Sequence, residues 1–318
     1  MFVSVTLITI GILVLVAGGE LLLRGAVGIA NEFKLSPAVI GLTVVAAGTS
    51  VPELAVSGVA SLTGKTDIAV ANVVGSNIFN ITVIVGLCAL INPIPILGNT
   101  IKLEYPVLAL VTFLCVLFCR DAQIDRLEAA MFLASYVGFT AYLVGTVKPQ
   151  VNQQEESAFS AEVEQLTAKP ILSGVAGLWL LLGVGVGLLM LGAHLTVKGA
   201  SDLARLWGWS ERVIGLTIVS AGTGLPEVVA SVMSAIRGRV DIAIGNVIGS
   251  NLFNILAILG LSGVIAPISV QADILSDCWW MLGVTVLLFP LMRSDMKVTR
   301  LEGGALFVIY ASYLYTLL

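Results

Sequence analysis

The sequence predicts an all-α polytopic membrane protein with ten transmembrane helices arranged as two inverted five-helix repeats, and three observations carry that prediction. The 318 residues are 58% hydrophobic and only 11% charged, with a mean hydropathy of +1.02, where an ordinary soluble domain carries about 25% charged residues. Apolar runs of about twenty residues, the length that crosses a ~30 Å hydrocarbon core, recur from end to end. A β-barrel would instead show segments of about ten residues with alternating polarity. The third observation is an internal repeat: "GLTVVAAGTSVPE" at 41–53 returns as "GLTIVSAGTGLPE" at 215–227, and the same 174-residue offset aligns Gly25 with Gly199, Asp67 with Asp241 and Glu128 with Glu302.

Each half carries five apolar spans, at 2–23, 37–61, 67–91, 101–119 and 127–147, followed by the same set at the repeat offset. Related halves with an odd span count must enter the bilayer from opposite sides, which makes them an inverted repeat about an axis in the membrane plane. The chain therefore divides into a first repeat at 1–147, a polar and acidic linker at 148–170 and a second repeat at 171–318. The linker is too short to fold as a domain, and its Glu155, Glu156, Glu162 and Glu164 read as a solvated charge run. Lys and Arg in the connections number 10 on the linker's side and 6 on the other, so the linker is expected to be cytoplasmic and both termini outside, in a cell membrane. The N-terminus lacks the basic flank of a signal peptide and is expected to remain as the first span.

Within the second span, Pro52 has no N–H to give the carbonyl of Gly48, and Pro226 stands in the same relation to Gly222. Backbone oxygens freed in a membrane are tolerated only where protein or a polar cavity satisfies them. Both segments are therefore expected to be broken helices facing the interior. Thr49, Glu53 and Ser57 step by four along one helical face, as do Asn72, Ser76 and Asn80 on the next span; the copies are Thr223, Glu227, Ser231 and Asn246, Ser250, Asn254. Glu53 and Glu227 are read as the only acidic residues well inside their spans, with no Lys or Arg at comparable depth to neutralise them. Each costs roughly 2.5–3.5 kcal/mol if left charged and alone. Two carboxylates with hydroxyl and carbonyl oxygens form the hard donor set that suits Ca²⁺ and alkali cations rather than zinc or copper. One shared cage that holds either load, exposed alternately to each side, would produce exchange.

"GTSVPE" with "GSNIFN" (75–80), and "GTGLPE" with "GSNLFN" (249–254), resemble the two alpha-repeats of the sodium/calcium exchanger family, the cation/Ca²⁺ antiporters. The resemblance covers essentially the whole chain. It implies a cation site formed by Thr49, Glu53, Ser76 and Asn80 from the first half and Thr223, Glu227, Ser250 and Asn254 from the second, with Ser50 and main-chain oxygens near Ala46 and Ser220 as further ligands. It also implies Ca²⁺ and Na⁺ as transported ions and no bound cofactor. Two positions depart from the pattern common among members that exchange Na⁺ for Ca²⁺: Asn254 stands where an aspartate is frequent, and Gly224 where a serine is. The histidine-containing acidic motif of proton-coupled relatives is absent, which favours Na⁺ as counter-ion over H⁺.

Other features have plainer readings. Asp67 and Asp241 open apolar spans and are expected to act as helix N-caps. His194, the only histidine, aligns with Glu20 near a span end and reads as a residue at the aqueous margin. Cys88, Cys115, Cys119 and Cys278 all lie in apolar runs and behave as small hydrophobes. "GVGVG" at 183–187 follows no strand, so close helix packing explains it better than nucleotide binding. No nucleophile and base occur in a catalytic arrangement and no basic cluster suits nucleic acid, so the expected partners are lipid and inorganic cations, with the protein a monomer. A cation channel with a double-glutamate filter is the competing membrane function, but pores are more often built from rings of charge around an axis along the membrane normal.

Overall fold

Helix follows helix along the chain because almost every apolar run is rich in Leu, Ala, Val and Ile and is bounded by Gly, Pro or polar residues. A computed structural model describes residues 1–96, 100–146, 174–209, 214, 218 and 220–317. The linker at 148–170 lies outside the described residues. The principal helices are α1 (Phe2–Glu32), α2 (Val51–Leu62), α3 (Thr66–Phe79), α4 (Tyr105–Phe118), α5 (Arg126–Thr146), α6 (Val175–Leu206), α7 (Leu225–Ile236), α8 (Val240–Leu252), α9 (Ala272–Ser294) and α10 (Arg300–Leu317). Helical turns continue α3 to Ile91 and α8 to Ile265. Among the described residues, seven helices are long and apolar enough to cross a membrane, or eight if the pair Ala38–Thr49 and Val51–Leu62, bent by 50° at the break between them, is one span.

The repeat is visible in which residues meet. Helices α1 and α6 pack antiparallel, with Gly11 against Gly192 and Gly18 against Gly185. Gly185 is the copy of Gly11 and Gly192 the copy of Gly18, so each position touches the other's copy, the reciprocal pattern of a two-fold axis. A Cβ on Gly18 would come within 2.8 Å of the Leu189 nitrogen and 2.9 Å of the Gly185 oxygen, so the two backbones approach as closely as glycine allows.

Short ribbons follow the same rule. Strand β1 (Ile94–Pro95) pairs antiparallel with β4 (Lys297–Val298), while β2 (Gln123–Ile124) pairs with β3 (Ile268–Ser269). Each half supplies one strand to each ribbon, which ties the halves together at both ends. The "RLE" echo also has a structural cause. Glu128 accepts from the Asp125 N–H at 2.9 Å while Asp125 accepts from Glu128 N at 2.8 Å, and Thr299 with Glu302 builds the equivalent box for α10.

Two buried clusters form. The larger joins helices of both halves around α3 and α8, whose extension to Ile265 is buried almost throughout. The smaller centres on α1 and α6 and reaches Ala230 and Ile242. Glu20 on α1 accepts from Arg24 at 2.8 Å and from Arg237, just past α7, at 2.9 Å, pinning the pair to the larger body at one margin. Its copy His194 is exposed.

Three expectations change. The first span runs to Glu32 rather than stopping near residue 23. Asp67 and Asp241 are not N-caps: Lys65 and Arg239 hold those positions without a side-chain cap, and the aspartates sit in the first turn. There they complement the helix dipole, Asp67 accepting from Gln271 at 3.1 Å and Asp241 pairing with Arg239 at 3.4 Å. Glu53 and Glu227 are also not the only carboxylates buried in the helical body. Glu104 is 4% exposed one turn inside its span, near Thr100.

Gly18→Leu is expected to push α1 from α6 and lower the apparent melting temperature in detergent, because overpacking costs about 1–3 kcal/mol. Gly187→Leu, where an added Cβ meets nothing within 4 Å, is expected to leave it unchanged; equal shifts in the two variants would contradict the packing described.

Candidate cation site

The break before α2 places its carboxylate. Ser50 leaves helical geometry at φ −84°, ψ 13°, and α2 starts at Val51 with Pro52 in its first turn, where a missing N–H costs least. Glu53 occupies the same turn. In the second half a turn at Ser220–Thr223 precedes Gly224 (φ −79°, ψ 0°), and α7 starts at Leu225 with Pro226 and Glu227 in its first turn. Both glutamates thus project from helix N-termini at mid-chain breaks, where the macrodipole favours negative charge. The Ala46 carbonyl already accepts from Ser50 N at 3.1 Å and from the Thr49 hydroxyl at 3.3 Å, so the oxygen left without an N–H partner by Pro52 is that of Gly48.

The two carboxylates are 1% and 2% exposed and close enough to repel each other. Across the pseudo-axis the Ser50 hydroxyl donates to Glu227 Oε1 at 3.0 Å, and Thr49 lies within hydrogen-bonding reach of the same carboxylate. Gly224 is the copy of Ser50, so Glu53 receives no matching hydroxyl from that position. A Cβ there would press on the Phe79 ring at 3.0 Å.

Helices α3 and α8 cross at the centre through a reciprocal amide lattice. Asn77 Nδ2 donates to the Asn251 carbonyl at 3.2 Å, and Asn251 Nδ2 to the Asn77 carbonyl at 3.3 Å. Their side-chain oxygens accept from Asn80 Nδ2 at 3.0 Å and Asn254 Nδ2 at 2.9 Å. Because the amide nitrogen of each faces the lattice, Asn80 and Asn254 turn a bare oxygen the other way. At this level the backbone also widens into π turns, Asn80–Ile84 and Phe253–Leu259, a local strain common at functional sites.

The outcome is a set of buried oxygens with no hydrogen donor: Glu53 Oε2, Glu227 Oε2, Asn80 Oδ1, Asn254 Oδ1 and Ser250 Oγ. Buried polar atoms are ordinarily satisfied; these five oxygens stand on the first turns of α2 and α7 and on α3 and α8 with their continuations, and their chemistry suits a cation. No cluster of three His, Cys, Asp or Glu suited to a metal lies among the described residues, which leaves an oxygen set completed by amides and hydroxyls and so a hard ion.

Ser76 and Thr223 are half-buried at the edge of this set, Thr49 is buried within it, and the Ser220 side chain lies outside the described residues. The stripe residues Asn72 and Asn246 serve as ties rather than lining. Asn72 Nδ2 reaches the Ser57 hydroxyl at 3.0 Å and the Glu53 carbonyl at 3.3 Å, and Asn246 Nδ2 reaches the Ser231 hydroxyl at 2.9 Å. Sequence reasoning missed Asn77 and Asn251, although each precedes its ligand candidate by three positions on the same helical face. The symmetry is broken in exposure: Asn72, Ser76 and Thr223 are partly accessible where their copies Asn246, Ser250 and Thr49 are buried.

The family model described as sodium/calcium exchanger protein matches residues 3–145 and 177–318. The chain belongs to the sodium/calcium exchanger family. This exchanger is 38% identical to the CaxA protein of Alkalimonas amylolytica over 100% of its own length and 99% of the relative's. It is 30% identical to the sodium/calcium exchanger MaX1 of Methanosarcina acetivorans, over 99% and 98% of the two chains. A solved structure of the sodium-calcium exchanger NCX_Mj, soaked with zero Na⁺ and Ca²⁺, superposes with a TM-score of 0.84 at 27% identity, covering 100% of this chain and 99% of that one. Family and fold together make the protein a multi-pass membrane transporter.

Proposed function

We propose that this exchanger is a secondary antiporter moving Ca²⁺ against Na⁺ by alternating access, through ten spans arranged as two inverted five-helix repeats. The observation that carries the reading is the pair of mutually repelling buried carboxylates, each with an oxygen that no donor satisfies, together with unpartnered oxygens of Asn80, Asn254 and Ser250. The ligands are Thr49, Glu53, Ser76 and Asn80 with Thr223, Glu227, Ser250 and Asn254, supplemented by Ser50. The antiparallel, reciprocal packing of α1 on α6 supports the inversion.

Charge determines the coupling. Two ionised glutamates are balanced by one Ca²⁺ or by Na⁺ ions sharing the same oxygens, so each load excludes the other. An empty, doubly negative cage cannot be occluded cheaply, since each uncompensated charge in the membrane costs roughly 2.5–3.5 kcal/mol or more. Crossing therefore occurs loaded, and the two fluxes become obligatorily linked. The partial exposure of Asn72, Ser76 and Thr223, against the burial of their copies, supports a conformation in which the two halves stand differently; exchanging their roles would open the site to the other side. The protein works in the cell membrane with its linker on the cytoplasmic side.

Vesicles loaded with Na⁺ and diluted into Na⁺-free medium are expected to accumulate Ca²⁺, whereas a matched pH gradient alone is expected to drive none. Uptake that follows only the pH gradient would replace Na⁺ with H⁺, and uptake indifferent to both would indicate a channel. Glu53→Gln and Glu227→Gln are each expected to cut exchange more than about a hundredfold, because an uncompensated buried charge costs roughly 3–5 kcal/mol, while leaving the elution profile intact; normal flux in either variant would remove that glutamate from the site. Asn251→Ala, which releases the Asn80 amide, is expected to weaken Ca²⁺ binding about 10–100-fold, as loss of a supporting contact around a metal site does. Calorimetric titration showing unchanged affinity would mean that the amide lattice does not position the ligands.

A further inference from the structure

A furrow on the lipid-facing side of α9 joins apolar and basic features that the ion site does not use. One hollow of about 520 Å³ is lined by Tyr105 and Pro106 of α4 and by Gly283, Val286, Leu287 and Pro290 of α9. A second of about 470 Å³ continues along α9 past Trp279 and Trp280 and shares Gly283 and Leu287 with the first. Both fall within the size range of small-ligand pockets, about 300–1,000 Å³. The furrow has two local causes. Gly283 has no side chain, and a Cβ built on it meets nothing within 4 Å. Pro290 removes the N–H that would bind the Val286 carbonyl, and Tyr105 closes that gap, its hydroxyl donating to Thr285 O at 3.0 Å and lying 3.5 Å from Val286 O.

Two cations stand at the Pro290 end, whereas the start of α9 carries Asp273 and Asp277. The Arg293 guanidinium lies 5.9 Å from the centre of the Phe289 ring, which also lines the first hollow. Tyr105 stacks on that same ring at 5.3 Å, so the start of α4 lies beside the end of α9. Lys102 is exposed one turn before Pro106 and so sits at the same end, on the same side of its helix. Neither Lys102 nor Arg293 takes part in an ion pair among the described residues. From Arg293 to Gly283 is ten residues of helix, about 15 Å at 1.5 Å per residue and so half of a ~30 Å hydrocarbon core. The first hollow is thus about one leaflet deep from Arg293 down to Gly283, with the cations beyond its mouth, and the second carries the furrow further along α9 toward Ser276.

We propose that it holds one anionic phospholipid, its phosphate between Lys102 and Arg293 and an acyl chain in the furrow down to Gly283. The dimensions match a single leaflet, and the two uncompensated cations match a headgroup with net negative charge rather than a zwitterionic one.

The test uses the full chain in mixed micelles containing equal phosphatidylglycerol and phosphatidylcholine of identical acyl chains, with retained lipid counted by native mass spectrometry. Wild type is expected to hold phosphatidylglycerol in preference by about thirty-fold, the value for two basic residues that each contribute about 1 kcal/mol. Lys102→Gln with Arg293→Gln is expected to abolish the preference while leaving phosphatidylcholine retention unchanged, and Gly283→Leu to reduce retention of both lipids. A monodisperse elution profile and retained ion exchange in phosphatidylcholine vesicles check the fold of each variant. Equal retention of the two lipids by wild type, or an undiminished preference in the double variant, would overturn the proposal. So would a Gly283→Leu protein whose oligomeric mass changes while its lipid retention does not, since the furrow would then belong to a second copy of the chain.

Discussion

Two glutamates held in the membrane interior without a basic neighbour at their depth set the terms for the rest of this structure. Glu53 and Glu227 are almost fully buried, each with an oxygen that no donor reaches. Removing such groups from water costs several kcal/mol apiece unless a counter-charge arrives, and the surrounding fold supplies oxygens rather than cations. Broken helices deliver the carboxylates at helix N-termini, and the crossing of α3 and α8 fixes the amides. In the proposed antiport this deficit is what a mobile cation relieves, and it gives a physical basis for handing the site from one ion to another.

The second organising feature is reciprocity. Asn77 and Asn251 exchange the same bond, Gly11 and Gly18 meet each other's copies, and both strand ribbons are built from one strand of each half. A two-fold relation of this kind needs only half the number of distinct contacts to specify the whole. It also means that small departures carry information. Ser50 donates to Glu227 whereas Gly224 donates nothing to Glu53, and Asn72, Ser76 and Thr223 keep an exposure that their copies lack. The framework is symmetric, and the exposure of its residues is not.

Much of this was legible in the chain. The Pro-Glu motifs announced broken helices with buried carboxylates because proline and an unpaired charge are both costly in lipid, and the 174-residue offset announced that the site has two walls. Less legible were Asn77 and Asn251, which look like any polar residue in a small-residue motif until α3 is laid across α8. Asp67 and Asp241 look like caps, but lie one or two positions inside their helices. Glu104 was also not legible as a buried carboxylate; it sits at the end of a π turn, Thr100–Glu104, inside an apolar span.

The sequence by itself determined the class of molecule, the duplication and the chemical type of the ligand, since hydropathy, offset and residue type are properties of the chain alone. Tertiary structure decided which amide oxygens are bare, because that depends on where each nitrogen finds its partner across the axis. It also decided which of two identical serines, Ser76 or Ser250, is shielded from water, and that a glycine and a proline on α9 leave a furrow ending at Arg293. Those outcomes rest on contacts between residues about 170–200 positions apart, where no local pattern can reach.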